Sequence, residues 1–90
     1  MANSIQLRVE TAAGLCFDRS VSYVSLPIPG GSIGILSNHA PMLCAVSQGC
    51  IRCRDDSGRQ YELLTGEGAA QVENNTVTVL CTSAEVKQDM

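Results

Sequence analysis

The chain has 90 residues, which is enough for one domain with a single modest core but not for two domains. Its net charge is −3 and its six Lys and Arg residues are scattered, so it lacks the basic face that nucleic-acid binding requires. No apolar stretch approaches the roughly 20 residues that span a bilayer, and the first residues do not form a secretory signal, so we expect a soluble, cytoplasmic, mature protein.

The first third of the sequence predicts three β-strands. Apolar and polar residues alternate over residues 5–9, which is typical of a half-buried strand, and a turn follows at residues 13–14. A second strand is predicted from Leu15 and a third over residues 21–26. We expect this third strand to end at Pro27, because proline cannot donate a hydrogen bond within a central sheet.

The rest of the chain predicts short strands separated by turns rich in Gly, Pro, Asn and Asp. These strands cover residues 32–36, 42–46, 50–54, 59–64, 69–72 and 76–80. Hairpin turns are expected at residues 55–58, where Asp and Gly adopt turn conformations readily, and at residues 73–75, where Asn does. The predicted fold class is therefore all-β, a small sandwich or flattened barrel of about nine to ten short strands.

The C-terminal residues predict a change from strand to helix. Thr82-Ser83-Ala84-Glu85 fits a capping box, in which the Thr82 hydroxyl and the Glu85 carboxylate accept hydrogen bonds from free backbone N–H groups at a helix start. Only five residues follow Glu85, so we expect a nascent helix at the C-terminus. The chain is accordingly divided into a β-sandwich domain, residues 1–83, and a short tail, residues 84–90.

Five cysteines raise the question of a metal or redox site. Cys50 and Cys53 have the spacing of a dithiol motif, but both lie in a predicted strand, where a separation of three residues sends the two side chains to opposite faces. Disulfides are not expected in the absence of an export signal. We predict free, buried thiols that pack as small hydrophobic groups, with no metal and no cofactor, and keep a thiol or zinc-binding domain as the alternative.

The only histidine of the chain lies between two apolar runs. His39 follows Ser37 and Asn38, but neighbours along an extended segment usually point apart, which argues against a catalytic group. Ala40 precedes a proline and therefore favours an extended backbone, which would hold His39 at a fixed angle. Two roles stay open for His39: a hydrogen-bonded loop residue, or a contact with a partner protein.

Several segments together resemble one known family. Residues 34–43, GILSNHAPML, are similar to the Gly-Ile-Leu-Pro-x-His-Ala-Pro-Leu-Leu signature in the N-terminal β-sandwich of the epsilon subunit of F-type ATP synthases. Further matches, in the order that the family has them, are residues 5–9, 14–18, 49–52 and 71–80. The chain departs from the family at Ser37, where the family has proline, and at Glu67, which interrupts a Gly-Gly pair.

The resemblance implies a non-catalytic rotor subunit in the central stalk of a proton-translocating F-type ATP synthase, where it links the gamma subunit to the c-ring. The family's gamma-facing region maps onto His39, Pro41 and Met42. Its ring-facing loop maps onto Pro29, Gly30, Gly31 and Ser32. The predicted strand at residues 42–46 is apolar on both faces, so we expect a partner to cover its outward face.

The resemblance also implies a place in the cell. An epsilon-type subunit is peripheral to the membrane, at the cytoplasmic face of a bacterial plasma membrane or at an organellar membrane, and we expect the isolated chain to be monomeric. Most family members continue into two C-terminal helices with an inhibitory role, which this chain would lack if Met90 is its natural end. The alternative function is a stand-alone β-sandwich module that binds another protein.

Overall fold

The computed structural model describes residues 4–89, which form nine β-strands and no helix. The strands are β1 (Ile5–Thr11), β2 (Gly14–Ile28), β3 (Gly31–Ile35), β4 (Met42–Val46), β5 (Gly49–Asp55), β6 (Gln60–Thr65), β7 (Gly68–Glu73), β8 (Thr76–Cys81) and β9 (Ala84–Asp89). The prediction of an all-β sandwich is confirmed. No membrane-spanning helix occurs within the described residues.

The strands form two layers that share β2. One layer consists of β4, β7, β8 and β1 in hydrogen-bonded order, followed by the first half of β2. The other contains β3, the second half of β2, β5, β6 and β9. Neighbouring strands are antiparallel except for β1 and β8, which are parallel, with Leu7 opposite Val77. The alternating sequence of each strand therefore turns one set of side chains toward the space between the layers.

The single strand β2 replaces the two strands that the sequence predicts for residues 15–26. At about 3.3 Å per residue, its 15 residues would extend over roughly 46 Å if straight, whereas the longest dimension of the molecule is 35 Å. The strand bends at the register shift between Val21 and Tyr23 and passes there from one layer to the other. Val21 and Val24 are both buried although they are three residues apart, so the alternation of buried and exposed residues shifts by one position at the bend. Because of this shift, the sequence of one strand resembles that of two strands.

Pro27 lies within β2 rather than at its end. In a strand, the N–H and C=O groups of one residue point toward the same edge, and the Pro27 carbonyl accepts a hydrogen bond from the Ser47 N–H at 2.9 Å. The missing Pro27 N–H therefore faces the loop that contains Ser47, beyond the last β2–β5 pair, Ser25 and Arg52. Since no ladder bond is required there, the strand continues through the proline to Ile28.

The prediction of a C-terminal helix is wrong, because Ala84–Asp89 is strand β9 and pairs with β6. The backbone just before β9 is already held: the Thr82 N–H donates to the Glu67 carbonyl at 3.1 Å, and the Ser83 carbonyl accepts from the Gly66 N–H at 2.9 Å. These bonds direct the chain along the open edge of β6. A helix of a few residues would gain few internal hydrogen bonds, so the edge of β6 is the better partner. Met90 lies outside the described residues.

The core between the layers is mostly aliphatic, as the low aromatic content requires. Its buried apolar side chains are Ile5, Leu7, Val9, Phe17, Val21, Val24, Leu26, Ile35, Val46, Ile51, Cys53, Tyr61, Leu63, Ala70, Val72, Val77, Val79 and Cys81. Phe17 and Tyr61 meet edge to face with ring centroids 5.5 Å apart, and the Arg19 guanidinium lies 4.9 Å from the centroid of the Tyr61 ring. The aromatic pair thus joins β2 to β6.

The predicted hairpin turn between β5 and β6 is confirmed and is organised by one carboxylate. Oδ1 of Asp55 accepts hydrogen bonds from the Ser57 hydroxyl at 2.7 Å and from the backbone N–H groups of Ser57 and Arg59, each at 2.9 Å. Oδ2 accepts from the Tyr61 hydroxyl at 3.3 Å. The Ser57 hydroxyl is the main cause that lowers the pKa of Asp55, and the other donors add to it against a smaller opposing effect of desolvation.

Gly68 allows β7 to approach β8 more closely than any other residue would permit. A Cβ at this position would lie 2.0 Å from the Leu80 carbonyl oxygen and 2.7 Å from the Cys81 Cα. Both obstructing atoms belong to the backbone, so they cannot rotate away. At Gly66 the nearest obstruction is the Thr82 hydroxyl, a side-chain atom that can move.

We predict that Gly68→Ala destabilises the protein by at least about 2 kcal/mol, because the new methyl group forces the two strands apart. For a domain of this size the melting temperature should fall by roughly 8 °C or more. Urea titration measures the difference. Gly31→Ala is the control, since a Cβ there meets nothing within 4 Å. Equal effects of the two substitutions would refute the proposed role of Gly68.

We predict that Asp55→Asn lowers stability at neutral pH and that its effect shrinks in acid. The pKa of Asp55 is lower in the folded chain than the value of about 3.9 in an unfolded one, so its stabilisation is present above that value and is lost as the pH falls through the folded pKa. Urea titrations of both proteins between pH 7 and pH 3 test this. A difference that is constant with pH would contradict it, and Asp56→Asn in the same turn is the matched control.

Candidate partner-contact site

The histidine segment, residues 36–41, connects β3 to β4 and is fixed to the turn between β7 and β8. The Asn38 N–H donates to the side-chain oxygen of Asn75 at 2.6 Å, and the Asn75 amide returns a weaker bond at 3.5 Å to the side-chain oxygen of Asn38. Both asparagines have positive φ, 65° and 56°, a conformation that Asn tolerates better than most residues. The segment is therefore held by a restraint that lies 37 positions away in the sequence.

His39 is half-buried in this segment. Its Nδ1 lies 2.8 Å from the Ala40 carbonyl oxygen, which can only accept a hydrogen bond, so Nδ1 carries the proton. This bond fixes the ring orientation and defines Nε2 as the acceptor of the neutral side chain. Among the described residues there is no group of three or more His, Cys, Asp and Glu side chains arranged to hold a metal ion.

The other two residues that the sequence assigns to the same contact differ in accessibility. Pro41 is exposed, whereas Met42 is half-buried and packs against the core. Because side chains alternate along β4, the next residue, Leu43, points outward, and 78% of its surface is exposed. Leu43 is the contact candidate that the residue-by-residue reading of the sequence missed, although the apolar run at residues 42–46 contained the signal.

The glycine turn, residues 29–32, joins β2 to β3 at the other end of β3. All four of its residues are exposed. Gly30 has φ 88°, so a glycine is needed there for the conformation of the turn. Gly31 is already part of β3 and pairs with Ile28, and a Cβ at either glycine would meet nothing within 4 Å. The fold therefore does not require Gly31 to lack a side chain.

The structure does not bring the histidine segment and the glycine turn together. They lie at opposite ends of β3, whose four residue steps from Gly31 to Ile35 correspond to roughly 13 Å. Pro27, two residues before the glycine turn, bonds to Ser47 in the connection between β4 and β5, whereas the histidine segment bonds to the turn between β7 and β8. The chain thus presents two separate exposed segments, joined by one strand.

The part of the chain that carries both segments is free of formal charge. From residue 20 to residue 51 there is no Asp, Glu, Lys or Arg, and His39 is the only His of the chain. This stretch includes the second half of β2 together with β3 and β4. A surface without charges provides no electrostatic steering and is suited to a contact through apolar groups and neutral hydrogen bonds.

One further surface hollow and the cysteines of β5 offer little chemistry. A hollow of about 480 Å³ between the connections that precede β5, β7 and β9 contains one ionisable side chain, Glu67, so it provides no acid–base pair. Cys53 is buried and Cys50 points to the opposite side of β5, as strand parity predicts. Burial, together with the charge of Asp55, raises the pKa of Cys53 to about 11, so its thiol is protonated at neutral pH.

Residues 4–87 match the family described as the ATP synthase delta/epsilon chain, β-sandwich domain. The chain belongs to this family. The ATP synthase epsilon chain of Prochloron didemni is 42% identical to it over 83 residues, which cover 92% of this chain and 60% of that protein. The chloroplastic epsilon chain of Emiliania huxleyi is 37% identical over 82 residues, which cover 91% of this chain and 62% of that protein. The delta/epsilon-type chain described here therefore spans about 60% of the length of these relatives.

Solved structures contain the same fold. A chain in the cryo-EM structure of the Euglena gracilis mitochondrial ATP synthase, OSCP/F1/c-ring in rotational state 1, superimposes with a TM-score of 0.87 at 16% identity, covering 96% of this chain and 55% of that one. A chain in the central stalk/c-ring structure of the Tetrahymena thermophila mitochondrial ATP synthase gives a TM-score of 0.73 at 15% identity, covering 90% and 65%. At these low identities the superpositions show that the fold is shared.

Proposed function

We propose that the chain is a non-catalytic central-stalk subunit of a proton-translocating F-type ATP synthase, in which it links the gamma subunit to the c-ring. The observation that carries the proposal is the family match over residues 4–87, combined with two exposed contact segments at opposite ends of β3. One of the two similar structures is of an OSCP/F1/c-ring assembly and the other of a central stalk with its c-ring, which supports the same assignment. The role needs no cofactor and no catalytic side chain.

The two segments take different partners in this proposal. His39, Pro41 and Met42 contact the gamma subunit, and the His39 ring is held in one orientation for this contact by its bond to Ala40. The glycine turn, Pro29, Gly30, Gly31 and Ser32, contacts the loops of the c-ring. A small residue at Gly31 lets the partner approach the backbone closely, which explains a glycine that the fold itself does not need.

Torque passes between the partners through the sandwich. Its buried core is close-packed and deforms little, so the two contact segments keep a fixed separation while the ring turns. β3 links the segments directly, and its pairing with β2 anchors it to the rest of the sheet. The chain acts mechanically, as a spacer that holds two contacts in fixed relation, and the bond-making steps belong to other subunits.

The proposed location follows from the proposed partner. A subunit bound to the c-ring is peripheral to the membrane and reaches it only through that ring. The relatives include bacterial epsilon chains and a chloroplastic one, so the proposed membrane is a bacterial plasma membrane, at its cytoplasmic face, or the corresponding organellar membrane.

Reconstitution tests the proposal. The purified chain should co-elute with the cognate gamma subunit in size-exclusion chromatography, and it should restore proton-coupled ATP synthesis to membranes whose ATP synthase has been stripped of its own epsilon subunit. Far-UV circular dichroism and thermal melting establish beforehand that the chain is folded. A folded chain that neither co-elutes with gamma nor restores synthesis would exclude the proposed function.

Two substitutions should separate the two contacts, and each serves as the control for the other. His39→Ala should weaken binding to gamma at least about fivefold with little change in melting temperature, because His39 lies in a loop outside the hydrophobic core and its ring bonds to the adjacent residue. Gly31→Arg should leave binding to gamma unchanged but impair co-purification with the c-ring, because the added side chain blocks close approach. Titration calorimetry and pull-down from detergent-solubilised ring measure the two effects.

The pattern of effects decides the assignment. If His39→Ala lowers the melting temperature strongly while the affinity for gamma is unchanged, His39 is a structural loop residue. If Gly31→Arg weakens binding to gamma as much as His39→Ala does, the glycine turn does not form a separate ring contact.

A further inference from the structure

The histidine segment, residues 36–41, is not anchored by hydrophobic packing. All six of its residues are described, and none of them belongs to the buried core. Leu36, which leads into the segment from β3, is 60% exposed. A surface connection without a buried side chain is mobile unless polar groups restrain it. The hydrogen bonds of the segment therefore decide how well its conformation is defined.

The backbone and the side chain of Asn75 bond to different parts of the protein. The Asn75 carbonyl accepts a hydrogen bond from the Gln6 N–H at 2.9 Å, which attaches the turn between β7 and β8 to β1. The Asn75 side-chain oxygen accepts from the Asn38 N–H at 2.6 Å. Because Asn38 directly precedes His39, the backbone of the histidine segment is connected through Asn75 to a strand inside the sheet. We call the bonded pair Asn38 and Asn75 the Asn clamp.

The turn between β7 and β8 does not itself require the Asn75 side chain. Asn74 and Asn75 connect the paired residues Glu73 and Thr76, and both have positive φ, 54° and 56°, which is the pattern of a type I′ hairpin turn. The second central position of this turn strongly favours glycine, because a side chain makes positive φ less favourable. Asparagine is therefore a poorer residue for the turn than glycine, and its amide serves the histidine segment instead.

The Asn clamp lies at the surface, since both of its residues are exposed. An exposed hydrogen bond replaces a bond to water and adds little to the stability of the fold. Its effect on the segment is larger, because fixing the backbone of a single residue costs free energy equivalent to roughly a tenfold change in an equilibrium constant. A clamp that contributes little to folding can therefore contribute strongly to binding by the segment.

We propose that Asn75 is a positioning residue, which holds the histidine segment in the conformation that binds the gamma subunit without touching that subunit itself. This inference rests on the proposed function, because it takes the gamma contact of the segment as given. The segment is ordered within the folded chain before the partner arrives, so the clamp raises the affinity by preorganisation. A turn that lies far along the chain thereby determines how tightly His39 and its neighbours bind.

Asn75→Gly tests the proposal, because it removes the clamp and leaves the turn with its preferred residue. The affinity for gamma should fall about tenfold in titration calorimetry, whereas the melting temperature should stay within a few degrees of the wild type or rise. Hydrogen exchange at the Asn38 N–H should become faster. Asn74→Gly is the matched control, since the Asn74 side chain is not part of the clamp, and it should change the affinity less than twofold. Asn75→Asp keeps the accepting oxygen and should also bind within about twofold of the wild type.

A further substitution distinguishes positioning from direct contact. Ser37 and Asn38 are the central residues of a turn in which only the second has positive φ, 65°. This is the arrangement of a type II turn, in which proline is common at the first central position. Adding Ser37→Pro to Asn75→Gly should therefore stiffen the segment by other means and recover at least about threefold of the lost affinity. Ser37→Pro alone, the control for the added substitution, should bind at least as tightly as the wild type.

The outcomes separate this inference from the proposed function. Wild-type affinity of Asn75→Gly, while His39→Ala binds weakly, overturns the inference and leaves the proposed function standing. Weak binding by Asn75→Gly that Ser37→Pro does not improve assigns Asn75 a direct contact with gamma and also overturns it. A variant that fails to fold, or whose melting temperature falls in parallel with its affinity, assigns Asn75 to the stability of the fold, with the same consequence. Absence of gamma binding by the folded wild-type chain overturns both.

Discussion

The architecture depends on the bend in β2. This one strand pairs with β1 before the bend and with β3 and β5 after it, so it ties the two layers of the sandwich together by both covalent and hydrogen bonds. β3 pairs with β2 beyond the bend, and β3 in turn has the glycine turn at one end and the histidine segment at the other. The relative placement of the two contact segments is therefore set by where β2 changes direction.

The alternation of side chains along each strand accounts for most of the fold that could be predicted from the sequence. The alternation in β1 and the hairpin turns define local structure, and β1 and β8 bury the residues that their alternating patterns assign to the core. The bend and the C-terminal strand escaped prediction because both are decided by distant partners. The capping-box pattern at residues 82–85 is a local preference, and the open edge of β6 overrides it with a complete ladder.

For the candidate site, the sequence indicated two segments, and the structure adds how they are placed. The histidine segment and the glycine turn could be found from their residues and from the family resemblance, but not the distance between them. The clamp between Asn38 and Asn75 joins positions that no local pattern relates. Whether Leu43 is exposed depends on which face of β4 meets the core. Because β4 is apolar on both faces, its sequence does not indicate which face that is.

The parallel pairing of β1 with β8 has a consequence for how the chain folds during its synthesis. Leu7 lies opposite Val77, 70 residues later, so one edge of the first strand has no partner until nearly the whole domain has been made. At translation rates of about 5 to 20 residues per second, that edge remains open for roughly 4 to 14 seconds. Contacts between such distant parts of a chain also form slowly. Within this domain, β1 is thus the first strand to be made and among the last to be enclosed, which makes this interval the period in which the domain is most exposed to mispairing with other chains.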